Sequence, residues 1–249
     1  MNDNTVNKIV GVVTIAKIYS KWQFRRPFTF FFIAMFMPIS IIVPMLILVP
    51  KEGWFNIIVG ALIFSVIGGG ISDVTLNVSF DREEKRNVFL ITRNVKPMEY
   101  MLGILLGGAS YTFVGATVIL LIGLVILRLA VTLAQILLML GLIAIVWIAS
   151  ANLGFILSLY GPKDYRLPGT LSDVLLFSLS FLAPVYYPIE ILPLPLRYFS
   201  YMIYTTHLAI LGKSILRSEP LSLFNIAFVL IFSLVLFMIS IRGMKWKKD

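Results

Sequence analysis

Hydrophobic positions in this chain fall into long unbroken runs, and polar positions gather in the breaks between them. An apolar run of about 18 or more residues has the length of a helix that crosses a bilayer. Only helices and closed barrels satisfy their backbone in lipid, and runs this long predict helices, not the short alternating strands of a barrel. The pattern therefore predicts an all-α integral membrane protein with six transmembrane helices, in one domain over residues 1–249. The spans fall at Phe28 to Val49, Phe55 to Val78, Met98 to Leu127, Leu129 to Leu159, Leu171 to Tyr187 and Leu221 to Ile241. Pro27 and Pro50 close the first span, and Pro38 and Pro44 inside it predict kinks. The third and fourth spans are longer than a hydrocarbon core of roughly 30 Å requires, so they must tilt or project from it.

Three stretches break the pattern in different ways. In residues 7–25, Asn7, Thr14, Lys17, Lys21 and Arg25 recur at helical spacing as one polar stripe, interrupted by Val10 and with Lys8 lying off it. The other faces carry Ile9, Val13, Ile15, Tyr19 and Trp22, so residues 1–27 predict an amphipathic helix lying in the membrane interface, its basic stripe toward headgroups. A frayed, solvated tail is the alternative. Residues 184–220, "PVYYPIEILPLPLRYFSYMIYTTHLAILGKSILRSEP", interrupt an apolar run with prolines and tyrosines. Irregular backbone survives at membrane depth only when buried in protein or lining a cavity. This stretch predicts a bent, partly re-entrant helical hairpin on the outer face, with an ordinary outer loop as the alternative. Residues 79–97, "SFDREEKRNVFLITRNVKP", are a charged island between the second and third spans. "DREEKR" is too charged to be buried unpaired, and the "VFLI" that follows shortly is too apolar for simple solvation. A short helix presenting Val88, Phe89 and Leu90, rimmed by Glu83, Glu84 and Arg86, fits a protein–protein contact with an apolar core and polar rim. The alternative is a solvated loop packed on the ends of the spans.

Composition sharpens this picture in two respects. With 59% hydrophobic and 13% charged residues, the chain has no room for a sizeable soluble domain. The net charge of +9 reads as membrane orientation, not as nucleic-acid binding. Lys and Arg number five in the N-terminal segment, five in the island, two in the loop 161–169 and four in the tail, against five on the alternate side. Both termini and the island are expected to face the cytoplasm. The chain has no cysteine, which excludes disulfides and thiolate metal sites. No small-residue cleavage site follows the first run, so no removable signal peptide is expected.

The remaining chemistry is sparse. "HLAILGKS", residues 207–214, resembles a phosphate-binding loop, but His207 stands where the first Gly belongs, and the stretch follows no predicted strand. No ATPase of the chain's own is expected. The single histidine has only Glu190 and Glu219 in its segment, too few for a metal site. No catalytic arrangement suggests itself. Asp73 and Asp173 lie near the inner ends of their spans, and the membrane middle holds no row of charges. The glycines at 68–70 and at 107 and 108 predict close helix packing, with a hinge as the alternative.

The order of these features resembles the type-2 ABC exporter permease family. The charged run Asp81 to Arg86 is followed by the short apolar run Val88 to Ile91, then by "V-x-P-x-E-Y-x-x-G" at Val95, Pro97, Glu99, Tyr100 and Gly103. After span five, residues 183–211 are similar to that family's Pro-bounded aromatic turn and helical hairpin. Six spans, an amphipathic N-terminal helix and a length of 249 residues match too. The family often has a Gly-Thr pair where Arg86-Asn87 stand here, and a proline where Arg93-Asn94 occur.

The resemblance implies a permease subunit of an ATP-driven exporter in the plasma membrane. ATP and Mg would be bound by two separate ATPase subunits, and a second permease copy or a homologous permease would complete the path. It implies that the island is the coupling helix, with Asp81, Arg82, Glu83, Glu84, Lys85, Arg86, Asn87, Val88, Phe89 and Leu90 as the ATPase contact. Aromatics near the outer mouth, Phe177, Phe181, Tyr186, Tyr187, Tyr198, Tyr201 and Tyr204, are candidate path residues suited to amphipathic or glycosidic cargo, with packing the open alternative for each. Two other classes stand beside this reading. An ion-coupled secondary transporter or channel would need titratable groups in mid-membrane, and a membrane-embedded enzyme or assembly scaffold would need a converging polar site.

Overall fold

A computed structural model describes residues 3–25, 28, 37–93, 95–162 and 164–244, and among them the chain is all helical. In chain order the helices are α1 Asp3–Phe24, α2 Met37–Leu48, α3 Trp54–Gly68, α4 Val74–Glu83 and α5 Arg86–Thr92. They continue as α6 Pro97–Leu127, α7 Leu133–Tyr160, α8 Arg166–Phe181, α9 Leu194–Ser200, α10 Tyr204–Arg217 and α11 Leu223–Gly243. A single π-turn, Gly69–Asp73, joins α3 to α4, so that Lys51–Glu83 is one long rod.

Among the described residues, four helices are long and apolar enough to cross a membrane: Lys51–Glu83, Pro97–Leu127, Leu133–Tyr160 and Leu223–Gly243. Two expected spans are not among them. Residues 29–36 of the first lie outside the described residues, and what is described there is the helix α2, with Pro44 inside it. The fifth is the 16-residue α8, about 24 Å long. It ends at Phe181, where a turn replaces the helix expected to reach Tyr187.

Boundaries shift for local reasons. The second span does not stop at Val78 but runs on to Glu83, carrying the first residues of the island into its last turns. There Lys85 takes a left-handed conformation, φ 57°, and breaks the rod from α5. α6 begins where Pro97 can occupy the first turn without losing a hydrogen bond, and Glu99 accepts from the Lys96 N–H. α7 begins at Leu133, not near Leu129, because the Thr132 hydroxyl accepts from the Gln135 N–H and caps it there.

The rod is the centre of the bundle. α3 is buried almost throughout, from Asn56 to Ile67, with α6, α7, α8 and α10 around it. Small residues set the spacing at the π-turn. A Cβ on Gly70 would lie 3.0 Å from the Ala151 N, and one on Gly154 would lie 2.8 Å from the Ile71 carbonyl, so rod and α7 touch backbone to backbone. Thr75 donates to the Gly154 carbonyl, and Ser158 to the Thr75 carbonyl, pinning the same crossing. α11 is peripheral and leaves Leu230, Ile231 and Leu234 exposed, as a helix facing hydrocarbon would.

Candidate functional site

The island supplies the most organised polar site described. Asp81, in the last turn of α4, is only 2% exposed. Its Oδ2 accepts from two phenols, Tyr19 of α1 and Tyr100 of α6, the latter at 2.7 Å. Its Oδ1 faces the Arg86 guanidinium of α5 at 3.7 Å. Four helices thus meet at one carboxylate. Burial, then the Asp81 charge, pushes the Tyr19 phenol well above its ordinary range, so it stays protonated and remains a donor.

The N-terminal helix reaches Asp81 because α6 lets it come close. Glu99 lies 3.4 Å from where a Cβ on Gly11 would stand. A Cβ on Gly103 would fall 2.4 Å from Ile15 Cγ2, and one on Gly107 would fall 2.9 Å from both the Ala16 carbonyl and Tyr19 Cβ. Positions 99, 103 and 107 share one face of α6, and Ile15 is buried against it. Thr14, Lys17, Lys21 and Arg25 of the polar stripe are exposed, as the stripe predicts, and Asn7 lies among residues whose side chains are not described. Ile9, Val13 and Ile18 are exposed as well, so only part of the apolar surface of α1 packs on protein. An open groove of about 670 Å³ follows this edge, lined by Ile18, Lys17, Lys21, Ser20, Leu106 and Ser110 among others.

Beyond Asp81 the island turns outward. Glu83, Glu84, Lys85 and Arg86 are exposed, and Glu84 pairs with Arg86 at 2.7 Å. On α5, Val88 is 51% and Phe89 61% exposed, whereas Leu90 turns partly inward against the core. Arg82 is partly buried, and the Asn87 side chain lies outside the described set. The residues expected to act together therefore divide: Asp81 and Leu90 hold the segment to the bundle, while Glu83 to Arg86 with Val88 and Phe89 form its surface.

The seven aromatics also divide. Tyr186 is buried beside Phe64, at 6.4 Å, and stacks on Phe181 at 5.7 Å. Phe181 stacks on Phe177 at 6.1 Å, and both are partly exposed. The Tyr187 hydroxyl donates to the Phe181 carbonyl at 2.5 Å. Tyr204 belongs to a second group: it is buried, pairs with Ser150 at 3.0 Å and stacks on Phe232 of α11 at 4.9 Å. Tyr201 lies 6.5 Å from His207 by ring centroids, and Tyr198 is exposed. Among the described residues no ring pair links the two groups.

His207 is engaged internally. Its Nε2 lies 2.9 Å from the Tyr201 carbonyl and its Nδ1 lies 2.8 Å from Asn225 Oδ1, so both ring nitrogens are occupied within the fold. Asp173, one of the two span aspartates singled out in the sequence, accepts from Ser72 at 3.2 Å, beside Asp73 in the π-turn. The residues that the sequence did not single out for a site are Tyr19, which reads as part of an apolar face, and Gln135, whose amide donates to the Ile215 carbonyl at 2.9 Å. A tyrosine on an apolar helix face carries a signal of its own, because a buried phenol requires a hydrogen-bond partner.

No curated protein matches the chain. The sequence profile of the ABC-2 type transporter family matches residues 3–216, from α1 through nearly all of α10. This interval contains both the Asp81 site and the aromatic segment, and it covers most of the 249 residues. The chain belongs to the ABC-2 type transporter family and is a multi-pass membrane permease of an ABC transporter.

Proposed function

We propose that this permease is an exporter driven by separate ATPase subunits that dock on α5. The observation that carries the reading is the exposure of Val88 and Phe89 on a short helix, set off from the central rod by the left-handed Lys85 and rimmed by Glu83, Glu84 and Arg86. An apolar patch with a charged rim suits a protein partner. Two ATPase subunits binding ATP and Mg close on one another, push α5 and rock the rod to which it is attached. A second copy, or a homologous permease, completes the path. The reading places the permease in the plasma membrane, and the Lys and Arg count supports an orientation with both termini and α5 cytoplasmic.

In this orientation α1 lies along the inner interface, its exposed Lys17 and Lys21 toward headgroups. Residues 184–220 form the outer re-entrant segment. Its support is depth: Tyr204 stacks on Phe232, about 14 Å along α11 from that helix's first residue. Phe177 and Phe181 offer stacked, partly exposed rings to an amphipathic or glycosidic cargo, and the buried Tyr186 and Tyr204 support the wall. The test is replacement of Glu84 and Phe89 together with alanine. Transport is expected to fall while membrane insertion and basal ATP hydrolysis of the partner persist; unchanged transport overturns the coupling role.

A further inference from the structure

We infer that Asp81 is a positioning residue that makes the N-terminal helix move with α5 as one body. The inference rests on the coupling role proposed for α5 and adds a second moving element to it. Asp81 takes donors from α1 and α6 on one oxygen and faces the α5 guanidinium with the other. A carboxylate shared in this way cannot follow one partner without pulling on the rest. Hydrogen bonds to a charged acceptor are roughly twice as strong as neutral ones, and this one is shielded from water.

The rest of the junction resists slippage. The face of α6 at Glu99, Gly103 and Gly107 holds α1 at backbone distance, and Ser20 pairs with Ser110 at 3.2 Å one turn further on. Each residue of the "P-x-E-Y-x-x-G" stretch has a place in this junction. Pro97 starts α6, Glu99 caps it and lies against Gly11, Tyr100 donates to Asp81, and Gly103 admits Ile15. A push on α5 therefore reaches two elements, the central rod through α4 and the N-terminal helix through Tyr19. The exposed basic stripe of α1 then shifts with it.

The chain has no cysteine, so the introduced pair are the permease's own spin-label sites, and the ATPase subunits are used in cysteine-free form. Labels at Ile18→Cys on α1, Thr92→Cys on α5 and Leu133→Cys at the far end of α7 are placed pairwise in the complete transporter, with its ATPase subunits. Distances are measured without nucleotide and with ATP trapped. The expected result is an unchanged Ile18–Thr92 distance, while the distances from both to Leu133 shift together. In Asp81→Leu, Thr92 is expected to shift and Ile18 to stay. Tyr19→Phe, which removes one hydroxyl and keeps the packing, is expected to free α1 in the same way if Asp81→Leu fails to assemble, and Asp81→Asn to restore part of the joint motion. A wild-type protein in which Thr92 shifts without Ile18 overturns this inference alone. One in which Thr92 does not shift overturns the coupling role of α5 as well.

Discussion

The island end and the 184–220 segment both hold polar groups inside an apolar bundle, yet they satisfy them in opposite ways. At the island, one side-chain carboxylate gathers hydroxyls and a guanidinium from three other helices. In the 184–220 segment, side chains serve carbonyls at helix ends and in turns, one at a time. Thr205 donates to the Leu179 carbonyl at 2.6 Å, Thr206 to Ser200 at 2.7 Å, Ser200 to Leu182 at 2.8 Å, and Lys213 reaches the Pro184 carbonyl at 3.4 Å. The first arrangement ties separate elements together, so losing its centre affects all of them. The second is distributed, so each loss stays local.

The largest effect is expected at the centre. Asp81→Leu removes the buried carboxylate to which the Tyr19 and Tyr100 hydroxyls donate, while the exposed Arg86 keeps Glu84, a loss of about 3 kcal/mol. A large drop in melting temperature of the solubilised protein checks it, and a melt within about a degree of wild type would place Asp81 outside the structural centre. Next comes Gly107→Ala, whose Cβ would sit 2.9 Å from the Ala16 carbonyl. Backbone cannot swing aside as a side chain can, so α1 must lift, at about 1–3 kcal/mol. Faster proteolysis of the N-terminal segment reports it. Thr205→Val removes one donor from one carbonyl and is expected to cost about 1 kcal/mol, with no change in that proteolysis. An N-terminal helix loosened by Thr205→Val would erase the contrast between the two regions.

The smallest effect is a pH dependence. Burial first, and the Arg217 charge second, push Lys213 down to about 8 against the opposing charge of Glu190. Its value in the folded protein thus lies below the 10.5 of a free lysine. Below pH 8 the cation is present in both states and its burial penalty is fully felt. As pH rises from 8 to 10.5, the folded state binds fewer protons than the unfolded one, and stability increases. Relative to Lys213→Met, the wild-type melting temperature should climb over that window; parallel curves would show Lys213 to be solvated.

The helical class, the long second, third, fourth and sixth runs, and the exposed stripe at Thr14, Lys17, Lys21 and Arg25 were legible because lipid imposes them residue by residue. Apolar length and helical spacing are local properties. The divisions within the island and within the aromatics were not legible. Asp81 and Glu83 differ little as sequence, but two residues turn a helical side chain by about 200°, and only the neighbours of α4 decide which one is buried. Tyr19 reads as one more apolar-face residue until Asp81 lies opposite it.

The sequence by itself determined a multi-pass helical membrane protein, the place of its charged island and the family to which it belongs. These follow from hydropathy, charge and motif order, which need no partner across the fold. The tertiary structure alone decided that the island has an inward half and an outward half. It also decided that the N-terminal helix is pinned to it. The physical reason is that burial and hydrogen bonding of Asp81 depend on residues 62 positions before it and 19 after it, brought together only where glycines on α6 allow two helices to touch.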